Sequence, residues 1–186
     1  MSAVPPAKSF FRAMPLVPHP ATPSGAARSL VVSLRRKPES LALRYVLTAQ
    51  MAHVRVPAPR PPARRDGLWR HTCFEIFVAA GRSSAYQEFN FSPSGEWAAY
   101  AFAQYREPGE ALECLPPAIE ARASDAALEL EVAMALELRG PLRIGLSAVV
   151  EAAEGALSYW ALSHPSAQPD FHHAASFALE IDEVRH

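Results

Sequence analysis

A chain of 186 residues is long enough for one domain with a substantial core, and a net charge of −1 gives no electrostatic footprint for nucleic acid or an anionic membrane surface. Apolar residues make up 49%, which excludes global disorder, yet no apolar run is long enough to span a bilayer. The two cysteines, Cys73 and Cys114, are too few for a disulfide framework and form no CxxC pair.

Residues 1–28 are rich in Pro, Ala and Ser and read as an N-terminal leader, with Phe10, Phe11, Met14 and Leu16 able to tack it onto the body. Lys8, Arg12 and several prolines interrupt any apolar segment of the secretory type, so a cytoplasmic protein is expected. The remaining residues, 29–186, are expected to form one domain. Residues 29–35 and 41–49 alternate as two strands around the turn at Pro38, and residues 52–56 give a third short run. Four prolines between Val56 and Ala63 then exclude a central strand, so residues 57–71 are expected to be a loop.

A three-strand meander follows over residues 72–80, 86–92 and 96–105, with turns at Gly81 and at Pro93-Ser94-Gly95. Period-two alternation places Phe74, Ile76 and Val78 on one face with Phe89 and Phe91. The other face carries Cys73, Glu75, Phe77, Tyr86, Glu88 and Asn90. Further strands are expected over 119–123, 128–138, 142–150, 157–162 and 176–181, with a possible helical turn at 136–140 and a polar loop over 163–175. About ten short strands with almost no helix indicate an all-β protein, an antiparallel β-sandwich of jelly-roll-like type.

Acids among aromatics mark a partly covered surface, because a carboxylate there needs partners to offset its desolvation. The plain structural alternative is that Glu75 and Glu88 pair with Arg70 or Arg106 to brace the sheet. Carbohydrate binding fits the same residues, since sugar rings stack on aromatic faces while Glu, Asn and Arg satisfy hydroxyls. Two other chemistries share part of the set. Haem would need an axial ligand such as His164 or His172 from the second loop. A glycoside-acting enzyme would use Glu75 and Glu88 as acid and base. No GxSxG, HExxH, Walker A or dinucleotide loop occurs.

The runs TCFEIFVAA, YQEFNFSPSGEWAAYAFAQYR and LSYWALSHPSAQPDFHHAASFALEI, spread over most of residues 30–181, resemble DOMON-like proteins related to family 9 carbohydrate-binding modules. That resemblance implies a β-sandwich and a non-catalytic, ligand-binding role, with sugar and haem as the ligand types of the wider group. The expected ligand is a carbohydrate or sugar-like small molecule, held by Glu75, Tyr86, Glu88, Asn90 and Arg106, with Trp160, His164 and His172 beside them. No catalytic residue, metal or cofactor is expected, and no nucleic-acid or membrane partner.

Overall fold

The computed structural model describes residues 12–22, 25–136 and 139–183. Twelve strands are found among them: β1 Arg12–Pro18, β2 Ala27–Lys37, β3 Ser40–Ala49, β4 Cys73–Ala80, β5 Tyr86–Phe91, β6 Trp97–Gln104, β7 Glu107–Pro108, β8 Ala118–Ala123, β9 Ala127–Ala135, β10 Leu142–Glu151, β11 Leu157–Ala161 and β12 Leu179–Ile181. All pair antiparallel, and the only helical segments among the described residues are three short 3₁₀ turns. The all-β expectation holds.

The strands are linked in the order β7-β6-β5-β4-β10-β11-β1-β2-β3-β9-β8, with β12 also on β10. Two faces of this path pack together because β1 changes partner along its length. Residues Arg12 to Leu16 pair with β2, whereas Val17 and Pro18 pair with β11. The first sheet is therefore β1-β2-β3-β9-β8, and the second runs from β7 to β11. Between them lie Leu30, Val32, Leu43, Tyr45, Leu47, Leu130 and Val132 from the first sheet and Phe74, Ile76, Phe91, Ile144 and Leu146 from the second. Each large apolar side chain so buried contributes about 1.5–3 kcal/mol relative to exposure. Tyr45 spans the two layers: its hydroxyl donates to the Glu75 carbonyl at 2.8 Å and its ring lies 5.1 Å from that of Phe74. Buried hydroxyls need such a partner.

The departures from the sequence reading have local causes. Residues 12–18, read as leader, form β1, and Met14 and Leu16 alternate into the core; Phe10 and Phe11 lie outside the described residues. The prolines there hid the pattern, although an exposed Pro15 is tolerated between buried neighbours. Residues 52–56 are no strand: Met51–His53 is a 3₁₀ turn, followed by a single bridge from Val54 to Ala152. Beyond Val56 the prolines supply no N–H groups for a ladder. β9 ends at Ala135, and the helical turn expected at 136–140 falls partly on residues 137 and 138, outside those described. β12 begins only at Leu179, after the 3₁₀ turn Ala174–Ser176.

Candidate functional site

Most strands of a sandwich bury one face, but β4 is buried on both, from Cys73 through Ala79. Two long loops cover its outer side. Residues 57–72 bring Leu68 onto Cys73 and Ala98, with Tyr100 alongside. Residues 163–177 bring Phe177 onto Phe77, Ala79 and Tyr86, flanked by Phe102 and Phe171. Gly145 on β10 makes the second contact possible. A Cβ there would lie 3.0 Å from Phe177 Cδ1 and 3.4 Å from Phe77 Cβ, so only glycine lets the ring seat fully.

Between the two loops is a cleft of about 350 Å³. Glu75, Glu88 and Val149 line it from the sheet. Trp69 and Tyr100 stand on the side of the first loop, with Phe77, Phe102, Tyr159, Phe171 and His172 on the other. The Trp69 and Tyr100 rings meet edge to face at 6.0 Å. Register explains the acids: Glu75 is paired with Asn90, and Glu88 lies between Phe77 and Tyr100 on adjacent strands. All of these side chains therefore share the outer face.

The carboxylates are almost enclosed, Glu75 being 2% exposed and Glu88 6%. Asn90 donates through Nδ2 to Glu88 Oε1 at 2.9 Å, and Ser147 donates to Glu75 Oε2 at 3.1 Å. Glu75 Oε1 accepts no hydrogen bond from the described residues. Burial pushes the Glu75 carboxyl well above the usual range, and the nearby Glu88 charge pushes it further, against the Ser147 bond. Burial likewise lifts Glu88 to about 7, although the Asn90 bond and the Arg106 charge act the other way. Such shifts are the expected response to removing water from an ionised group.

No arginine lies within ion-pair distance of either carboxylate among the described residues, which removes the bracing pairs with Arg70 or Arg106. Arg106 instead binds Asp170 at 2.9 Å and the Tyr105 hydroxyl at 3.3 Å. Burial would raise Asp170, but the bonds from Tyr105 and Arg106 and the Arg106 charge outweigh it and hold the carboxyl below its ordinary value. Arg106 is also the one non-glycine among the described residues with a left-handed backbone, φ 53°. Strain of that kind persists only where surroundings fix it. Here its N–H donates to the Tyr86 hydroxyl at 3.1 Å.

Tyr86 passes the connection on, its hydroxyl lying 2.8 Å from His172 Nδ1. Burial above all, and then the Arg106 charge, lower His172 to about 4, so the ring is neutral at pH 7. With the tyrosine proton directed at Nδ1, the ring proton sits on Nε2 and faces Glu88 Oε2 at 3.6 Å.

Of the residues singled out from the sequence, the structure brings Glu75, Glu88, Arg106 and His172 to the cleft wall. Tyr86 and Asn90 stand directly behind them, through the bonds just given. Two do not join. Trp160 is 3% exposed and points into the core, its Nε1 bonded to Ser158 Oγ at 3.1 Å. Its neighbour Tyr159 faces the cleft instead, one residue out of phase with the expectation. His164 gives Nε2 to the Val17 carbonyl at 2.8 Å and stands apart from the lining. Trp69, Phe171 and Tyr159 were not foreseen: two lie in loops without periodicity, and only the covered face of β4 could have indicated that loops pack there.

A haem does not fit this donor set. Both nitrogens of His172 face protein partners, and Nε2 of His164 is committed to β1. No group of three or more His, Cys, Asp or Glu able to hold a metal occurs among the described residues. Among the described residues no helix is long and apolar enough to cross a membrane.

No family model and no curated protein sequence matches the chain. Solved structures do. A "putative carbohydrate-binding protein" from Bacteroides uniformis superposes with a TM-score of 0.62 at 14% identity, over 89% of this chain and 83% of that one. A family 9 carbohydrate-binding module from Caldicellulosiruptor kristjanssonii in complex with glucose gives 0.58 at 8% identity, over 83% and 74%. The same organism's family 9 module in complex with cellotriose gives 0.56 at 8%, over 83% and 72%. The likeness establishes the fold. At these identities the residues of the cleft must be argued from this chain alone.

Proposed function

We propose that the chain is a non-catalytic carbohydrate-binding module and that its sugar site is the outer cleft of the second sheet. The observation that carries this reading is the cleft's composition. Aromatic rings form its walls, and near-buried carboxyls form its floor, with Glu75 Oε1 unbonded by any described residue. A sugar ring offers apolar C–H faces to such walls and hydroxyl donors to such acceptors. The volume suits one or two sugar units, at the lower end of the roughly 300–1,000 Å³ typical of small-molecule sites. The fold is one on which family 9 modules hold glucose and cellotriose, which supports the reading without assigning the residues.

The test is calorimetric titration of the purified chain with glucose and cellotriose, repeated on Trp69→Ala. Trp69 is 41% exposed, so the substitution removes a stacking surface with little effect on the fold. Saturable binding that weakens in the variant supports the site. Binding indifferent to Trp69 would move the site elsewhere.

A second reading rests on one observation, a Glu88 carboxyl held near neutrality beside another acid. Groups so placed serve as proton donors in glycoside cleavage. New reducing ends appearing during the cellotriose titration, and absent with Glu88→Gln, would favour the enzyme over the module.

A further inference from the structure

The cleft floor holds two acids that face no cationic partner among the described residues, an arrangement that a neutral sugar would leave as it is. The positive group of the cleft, Arg106, is already matched by Asp170 at 2.9 Å. His172 carries no charge near pH 7, with its Nδ1 bonded to Tyr86. What remains is two carboxyls on adjacent strands, one with an unpartnered oxygen, and no cation to answer them among the described residues. Tyr100, Tyr159, Ser147, Cys73 and Asn90 are the other polar groups near them, and none is basic. Around this floor stand Trp69, Tyr100, Phe102 and Phe171, whose ring faces attract a cation that has left water.

From this arrangement we infer that the cleft selects, among sugars, those bearing a protonated amine. The inference rests on the sugar-binding reading above and adds the ligand's charge. An ammonium group at the floor would reach Glu75 Oε1, an acceptor that no described residue uses, and supply a countercharge to the carboxylate that forms there. Its three N–H donors suit acceptor-only carboxylates, whereas a hydroxyl supplies one donor and no charge. An N-acetylated sugar has lost that charge and should gain nothing from the pair.

A carboxyl of the pair that holds its proton while the cleft is empty must release it to face an ammonium as a carboxylate. Binding of an amine is therefore linked to proton release, and binding of a neutral sugar is not.

The experiment is calorimetry on the intact chain at pH 6.5 with glucose, glucosamine and N-acetylglucosamine, each in two buffers of different ionisation enthalpy. Glucosamine is expected to bind about tenfold or more tighter than glucose, with proton release seen as buffer-dependent heat. N-acetylglucosamine should bind no tighter than glucose. Glu88→Gln should reduce both the preference and the proton release, with a thermal melt verifying its fold; the wild-type series decides the matter even if that variant does not fold. Glucose and glucosamine binding alike would overturn this inference and leave the sugar site standing. Tighter glucosamine binding without proton release, unchanged in Glu88→Gln, would place the amine away from the pair and also overturn it. If none of the three sugars binds, the sugar reading falls and takes this one with it.

Discussion

The two outer faces of this sandwich carry the same kinds of charged residue and put them to opposite uses. On the first sheet, Glu129 and Glu131 flank Arg44 at 2.8 and 3.7 Å, and Glu120 lies 3.1 Å from Arg122, all open to water. On the second sheet, Glu75 and Glu88 are buried under two loops and have no arginine partner among the described residues. A carboxylate becomes a candidate for recognition through what covers it. Exposed acids matched to arginines are a solvated surface, worth little to stability. Covered acids that lack a cation sit at a cost that a stability argument does not explain, and a ligand does.

The largest expected effect comes from removing the cover. Phe177 packs on Phe77 and Tyr86, with ring centroids 5.7 and 5.3 Å apart. Phe177→Ala should cost about 3–5 kcal/mol in a urea melt, as for other large buried aromatics. It should also lower the Glu88 pKa as water enters, which titration by NMR would read. A variant that loses stability yet leaves Glu88 near 7 would show that the loop is not what raises it.

Next is the pH dependence of stability. Glu88 titrates near 7 in the folded chain against an ordinary 4.5, so its stabilising contribution is complete below pH 4.5 and is lost as pH rises through 7. His172 acts in the reverse sense, contributing above pH 6.5 and losing that contribution as pH falls toward 4. Comparing wild type with Glu88→Gln at pH 5 and pH 8 isolates the acid. The variant should gain on wild type between the two, by on the order of 3 kcal/mol for a shift of this size. An unchanged difference between the two proteins would mean the carboxyl is not desolvated.

A smaller effect tests the contact beneath the loop. Gly145→Ala would place a methyl 3.0 Å from Phe177 Cδ1 and should cost about 1–3 kcal/mol, as overpacking does. Full stability would show that the loop can ride up without penalty. Smallest of all is the other face. Arg44→Ala and Glu129→Ala, singly or together, should leave the melting temperature nearly unchanged, and any coupling should vanish in high salt.

How much of this was legible in the sequence depended on parity. In the runs 72–80 and 86–92, large apolar residues alternate without a break, so Glu75, Tyr86, Glu88 and Asn90 could be assigned to one face. In LSYWA both faces carry an aromatic, and the polar Ser158 sits on the core side as the partner of Trp160. Polarity therefore points the wrong way in this strand, toward Trp160 and not Tyr159. His164 could not be placed because its partner, Val17, belongs to a strand hidden among prolines. Trp69 and Phe171 come from loops that only tertiary packing brings to the sheet, and local patterns carry no record of that.

The central claim is that ligand recognition belongs to the covered face of the second sheet and not to the open face of the first. Parallel calorimetric titrations of wild type, Glu88→Gln and Glu129→Gln with the same sugar test it most directly. Each substitution removes one ionisable carboxyl at nearly constant volume. The account predicts that Glu88→Gln weakens binding about tenfold or more while Glu129→Gln binds as wild type does. Wild-type affinity in Glu88→Gln, with loss of binding in Glu129→Gln, would contradict it.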